Sequence, residues 1–373
     1  MSELREVCIA DVKKMNIFGR LGKQRNPLPL LFNGSGVEVT VTGSDLWIEI
    51  ETDSDFHEPW IAYELNGALM GRQMILPGEY KICLFRNMEP STPKTVRFYR
   101  ELQAMSEDDK NRILVKGFLL DGEFLEPPTY DYKVEFIGDS ITSGEGTYGA
   151  TPDVDWLAMY MSASKNYAAM TAKALNADFH ILSQGGWGVY CGWDNDVRHN
   201  IPSVYEKVCG LATGKYNEEV LGTQEPYDFS WQPDAIVVNL GTNDESSFHQ
   251  PPFTDPDGNT HLQRLDKDGS YLREDQMKII KAAVDFLTML RKHNPKAHIV
   301  WVYGMLGYKL TMTLTEAINM YMAESGDKNV GFINLPNTVG DGYGAHMHPG
   351  VKSHVISADV LASYLRDKLT NND

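Results

Sequence analysis

Val134-Glu135-Phe136-Ile137-Gly138-Asp139-Ser140-Ile141-Thr142-Ser143-Gly144 is the stretch on which the second half of the chain is read. Val134 to Ile137 form a short apolar run of the kind buried inside a parallel sheet, and Gly138 and Gly144 bracket the polar turn that follows. In an open α/β sheet, ligands sit at the carboxyl ends of the strands. A serine just past such a strand presents its hydroxyl at the rim, while backbone N–H groups of the turn point into the same space. Most serines so placed are simply turn or N-cap residues. Whether Ser140 is a nucleophile therefore depends on what stands at the other strand ends.

Three more runs have the same character: Phe179-His180-Ile181-Leu182, Ala235-Ile236-Val237-Val238-Asn239-Leu240 and His298-Ile299-Val300-Trp301-Val302-Tyr303. Met277, Ile280, Val284, Leu287 and Leu290 recur at helical spacing before a stop at Asn294-Pro295, and further helices are expected over 164–175 and 351–369. Strands alternating with helices predict an α/β sheet. Its strand ends carry, in chain order, Ser140, the loop Ser183-Gln184-Gly185-Gly186-Trp187-Gly188, then Gly241-Thr242-Asn243-Asp244. A last strand, Gly331-Phe332-Ile333-Asn334-Leu335, leads to Gly344-Ala345-His346-Met347-His348-Pro349. His348 supplies the imidazole base that a serine nucleophile requires. Gly144, Gly146 and Gly149 match a dinucleotide-type glycine spacing but begin well past the strand, so a flexible loop is expected there. Asp139 is expected to tie down the serine loop. Trp187, Tyr190, Trp193 and Tyr303 are candidates for substrate contact, although such residues usually pack.

The front half has a different period. Over 32–118, Val37, Val39 and Val41 alternate with Glu38, Thr40 and Thr42, Leu46-Trp47-Ile48-Glu49-Ile50 follows a Gly43-Ser44-Asp45 turn, and Asn66-Gly67 is a strong hairpin signal. Short strands at this spacing predict an all-β sandwich or jelly roll. Pro127-Pro128 marks the boundary, giving a β domain over 1–128 and a catalytic domain over 129–373.

The length of 373 residues suits two domains. With 34 Lys+Arg against 51 Asp+Glu the chain carries −17, which disfavours nucleic acid and anionic membrane surfaces as partners. The start, Met1-Ser2-Glu3-Leu4-Arg5-Glu6, lacks the basic and apolar segments of a signal peptide, so a cytoplasmic protein is expected. Cys8, Cys83, Cys191 and Cys209 are dispersed and read as reduced thiols. A zinc site on His346, His348 and His354 is disfavoured by Pro349 and by the lack of a nearby carboxylate cluster. Asp255-x-Asp257-x-Asn259 with Asp266 has a faint calcium-loop spacing, but Thr260 replaces the required glycine and a polar hairpin accounts for it better. No metal or cofactor is expected.

Gly138-Asp139-Ser140, Gly186, Gly241-x-Asn243-Asp244 and His348-Pro349, in that order, resemble the four sequence blocks of the SGNH (GDSL-type) hydrolases across residues 133–373. Gly19-Arg20, Gly34-Ser35-Gly36, Pro127-Pro128 and the stretch 134–144 are similar to carbohydrate esterase family 2. The resemblance implies a three-layer α/β/α catalytic domain with a flavodoxin-like parallel sheet, preceded by a jelly roll. It also implies removal of acetyl groups from plant polysaccharides, with a preference for the 6-hydroxyl of hexose units. It assigns Ser140 and His348 to catalysis and an oxyanion hole to the N–H of Ser140, the N–H of Gly186 and the amide of Asn243. The usual triad aspartate falls at Ala345, and the alternative position two residues before the histidine is His346. A Ser-His dyad steered by a backbone carbonyl is therefore expected, with Asp341 the alternative acid. A lipase or thioesterase and a non-catalytic sugar-binding protein are the competing functions. Neither the sugar nor the oligomeric state is legible.

Overall fold

In the strand Leu46–Asp53 buried and half-buried side chains alternate along the whole length, so one face lies on a core. The computed structural model, which describes residues 4–370, sets this strand in an antiparallel sheet with Arg5–Cys8, Arg112–Leu120 and Gly78–Phe85. A second antiparallel sheet runs Phe124–Leu125, Gly36–Val41, Lys94–Arg100, Trp60–Leu65, Ala68–Met74. Val37, Val39, Val96 and Phe98 of this sheet share a core with Ile48, Ile50, Ile113 and Val115 of the other, which makes the front unit a sandwich. Asn66 and Gly67 join Trp60–Leu65 to Ala68–Met74 with φ of 50° and 79°, the left-handed pair that matches hairpin twist. Gly36–Val41 departs from the expected alternation, being buried throughout. Glu38 tolerates this because Asn16 Nδ2 and Tyr130 Oη donate to it at 3.1 and 2.7 Å.

The second unit holds five parallel strands: β1 (Tyr132–Gly138), β2 (Ala177–Ser183), β3 (Ala235–Asn239), β4 (His298–Gly304) and β5 (Val330–Leu335). Their order is β2-β1-β3-β4-β5, the flavodoxin-like arrangement, with β1 paired to β2 on one side and β3 on the other. Its helices include α1 (Ser140–Ser143), α2 (Tyr167–Ala174), α3 (Thr242–Ser247), α4 (Arg273–His293), α5 (Thr311–Ser325) and α6 (Val351–Thr370). Side chains of β1 point alternately to the two faces. Val134 and Phe136 pack with Ala168 and Ala172 of α2 and with Leu361 and Leu365 of α6. Glu135 faces the other way and accepts from Tyr205 Oη at 2.8 Å, and the Tyr205 ring meets Phe286 of α4 edge-on. Helices thus cover both faces. Among the described residues no helix is long and apolar enough to cross a membrane.

The division between units differs from the expected one. The first extends to Tyr130 and also takes Leu157–Ser164 and Lys207–Tyr227, so the region after residue 128 is not one continuous body. Backbone N–H groups of Ala163 and Ser164 donate to the buried Glu101 carboxylate at 2.5 and 3.2 Å. Thr213 Oγ1 and Asn217 Nδ2 bond Asp109 at 2.7 and 3.1 Å. Such bonds are made by tertiary pairing and leave no local trace at Pro127-Pro128.

Candidate active site

The end of β1 lies so close to its neighbours that a Cβ at Gly138 would come within 2.1 Å of Thr142 Oγ1 and 2.8 Å of the Asn239 carbonyl. Asp139 then caps α1, its Oδ1 accepting the Ile141 N–H at 3.0 Å. Ser140 follows at the first helical position, nearly buried, and Gly144 closes the turn in the left-handed region at φ 74°. Burial pushes the Asp139 carboxyl up to about 7, and its Oδ2 has no hydrogen-bond partner.

His348 arrives from the loop between β5 and α6. Gly344 donates its N–H to the His348 carbonyl at 2.8 Å, and His348 donates to Ala345 at 3.0 Å. Within that tight turn His346 and Met347 both adopt left-handed φ, 51° and 56°, a strain of order 1–3 kcal/mol per residue that the surrounding bonds must hold. The turn brings the His346 carbonyl 2.7 Å from His348 Nδ1, while Nε2 lies 2.8 Å from Ser140 Oγ. A carbonyl oxygen only accepts, so Nδ1 carries the proton and Nε2 offers its lone pair to the serine hydroxyl. The glycine-spaced segment after Ser140 is not the loose loop expected. A Cβ at Gly146 would sit 2.2 Å from the Ala345 carbonyl and 2.8 Å from His348 Cβ, and Ala345 donates its N–H to Gly146 at 2.9 Å. The histidine loop docks on this glycine.

Ala345 is buried at the position of the usual aspartate and offers only backbone. Asp341 does not fold back: it is exposed and paired with Lys352 of α6 at 2.7 Å. Sequence reasoning missed Glu145, a buried carboxylate five residues after the serine, whose one signal was a charge between two glycines. His346 Nδ1 donates to Glu145 Oε1 at 2.7 Å, and the same oxygen lies 3.6 Å from His348 Nδ1. Burial opposes ionisation of Glu145, but the charges of His348 and His346 and the bond from His346 hold its carboxyl below the ordinary value. The bond to Glu145 in turn raises His346, against the effect of burial.

The donor atoms of Glu145, His346 and His348 lie within 4.8 Å of one another, as ligands of a cation would. The two imidazoles, however, are stacked with planes 3° apart, so the in-plane lone pair of one does not converge with that of the other. His354 lies in α6, buried, and accepts the Tyr167 N–H at 3.1 Å. The three histidines therefore do not assemble a zinc site. Asp255 spends its carboxylate on Asp257, Asn259 and His261 inside the small hairpin Phe253–Thr254/Thr260–His261.

Asn243 opens α3 and is nearly buried, its Nδ2 donating to the Trp187 carbonyl at 2.9 Å, which ties it to the glycine loop. The Gln184 N–H reaches the Gly138 carbonyl at 3.2 Å, so that loop starts beside the end of β1. Gly186 has φ 79°. Asp244, also unassigned from sequence, is fully buried and accepts N–H bonds from Val189, Tyr190 and Cys191 at 2.9, 2.8 and 3.2 Å. It fixes the segment after Gly186. Among the aromatic candidates, Trp193 is 50% exposed beside Gly186, whereas Trp187 is half-buried and stacked on His199. Tyr190 is half-buried as well. Tyr303 must be withdrawn as a substrate contact: it is 3% exposed, and its ring packs beneath Gly241, because the end of β4 is covered there.

The GDSL-like Lipase/Acylhydrolase family matches residues 136–356. An acetyl xylan esterase (Est2A) from the rumen bacterium Butyrivibrio proteoclasticus is 63% identical, with 100% of both chains covered and a TM-score of 0.98. A family two carbohydrate esterase from Clostridium thermocellum, solved with cellohexaose, shares the fold at 23% identity, a TM-score of 0.74, and 95% and 99% coverage of this chain and that one. The cellulase/esterase CelE of Acetivibrio thermocellus is 25% identical over 91% of this chain, and an acetylxylan esterase/glucomannan deacetylase of Cellvibrio japonicus is 26% identical over 71%. The matches span 36% and 66% of those two proteins' own lengths. The serine, glycine-loop, asparagine and histidine positions thus lie within the matched region, and the chain belongs to the GDSL-like lipase/acylhydrolase (SGNH) family, with the two-unit fold of the family two carbohydrate esterases.

Proposed function

We propose that this protein is a serine carbohydrate esterase that removes O-acetyl groups from plant-derived oligosaccharides of the xylan or mannan type. Ser140 Oγ attacks the acetyl carbonyl as His348 Nε2 takes its proton. The imidazolium returns that proton to the departing sugar oxygen, leaving acetyl on Ser140. Water, deprotonated by His348, then releases acetate and restores the serine. The N–H groups of Ser140 and Gly186 and the amide of Asn243 serve the oxyanion. The observation that supports this most is the 2.8 Å Ser140–His348 contact with Nδ1 already committed to a carbonyl. Similarity at 63% identity to an acetyl xylan esterase supports acetyl as the acyl group. The exposed Trp193 face beside the glycine loop is the best placed sugar platform.

The test is hydrolysis of 4-nitrophenyl acetate and octanoate by the wild type and Ser140→Ala, followed by NMR mapping of acetyl groups lost from acetylated xylo- and manno-oligosaccharides. Acetyl turnover that vanishes in Ser140→Ala and exceeds octanoyl turnover is expected. Turnover that survives the substitution would refute the assignment, and a preference for octanoate would favour a lipase.

A further inference from the structure

A carbonyl fixes the tautomer of a catalytic histidine but brings no negative charge to the imidazolium that forms when the serine gives up its proton. In this site a carboxylate stands nearby, at none of the positions 341, 345 and 346. Glu145 is buried, its Oε1 is 3.6 Å from His348 Nδ1, and it holds the His346 ring by a 2.7 Å bond. His346 is the residue whose carbonyl orients His348, and its own N–H is bound to the Asp153 carbonyl at 2.6 Å.

We propose that Glu145 is a positioning residue for His348: through the His346 ring it holds the strained turn that aims the orienting carbonyl, and its carboxylate is the counter-charge to the imidazolium. The proposal rests on the esterase reading. His348 is faced from several elements. Ser140 comes from α1, Glu145 from the loop after it, His346 from the turn, and His354 from α6. Burial, and the charge of His348, hold His354 down at about 3, so it stays neutral. The Trp156 indole bonds Glu145, and the charge of Glu145 is felt by Asp139. Glu145 is thus the negative group set against Nδ1. A latch that merely pins two loops together would need the hydrogen bond to His346 but not the charge.

Glu145→Gln separates the two, since glutamine still accepts from His346 but is neutral. With 4-nitrophenyl acetate kcat should fall about tenfold with KM within about twofold, and the acid limb of kcat/KM should move about one pH unit lower, because an adjacent anion favours the charged form of an imidazole. Glu145→Asp should return the limb toward the wild-type position. His346→Gln, at a side chain 39% exposed, keeps the carbonyl and loses the ring, and should lower kcat several-fold. This variant decides the matter if Glu145→Gln does not fold. A folded Glu145→Gln, or failing that a folded His346→Gln, with wild-type kcat and acid limb overturns the proposal. Undiminished activity of Ser140→Ala would instead remove the esterase reading on which it rests.

Discussion

Asp139→Asn should make the protein more stable at neutral and alkaline pH while changing little in acid. Asp139 is fully buried, accepts one N–H from Ile141, and leaves Oδ2 without a partner, so its ionised form places an under-compensated charge in the interior. Burial moves its carboxyl from 3.8 to about 7. Between those values the folded protein binds the proton more tightly than the unfolded chain does. Stability therefore falls as pH rises through this window, and at about 1.4 kcal/mol per unit the loss amounts to about 4 kcal/mol by pH 8. Asparagine has the same shape, still caps Ile141, and does not titrate. The difference in unfolding free energy, variant minus wild type, should thus grow by up to about 4 kcal/mol between about pH 4 and pH 8. Urea unfolding followed by tryptophan fluorescence at several pH values measures it. A difference that stays flat across the window would mean that Asp139 ionises normally, and the burial argument would fail.

Asn243→Ala removes one oxyanion donor and should slow turnover of 4-nitrophenyl acetate by about 10²–10³, with the unfolding midpoint little changed; a loss under about tenfold would deny it that role. Gly146→Ala would force a Cβ to 2.2 Å from the Ala345 carbonyl at φ 71°, so it should displace the histidine loop and abolish most activity at a cost of roughly 1–3 kcal/mol in stability. Normal kinetics in that variant would show that His348 does not depend on this docking.

The strands of the sheet were legible because burial on both faces leaves continuous apolar runs such as Ala235-Ile236-Val237-Val238. Ser140 and His348 were legible for a related reason: in such a sheet, residues just past the strands share one rim whatever their separation in the chain. Helix α5 went unassigned, since Thr311–Ser325 mixes Thr, Met and Asn with its apolar residues and shows no clean stripe. Glu145 and Asp244 were missed because nothing local distinguishes a carboxylate that will be buried from one that faces water. Tyr303 was misread for the converse reason, a strand-end aromatic looking the same whether covered or open.

The sequence by itself determined the periodicities, the order of the four strand-end residues and the hairpin at Asn66-Gly67, all of which are properties of near neighbours along the chain. Only the tertiary structure decided which acid stands by His348, which glycine its loop rests on, and which segments after Tyr130 return to the front unit. Those choices depend on groups brought together from distant positions, as with Glu145 and His346, and no spacing rule relates residues that meet only after folding.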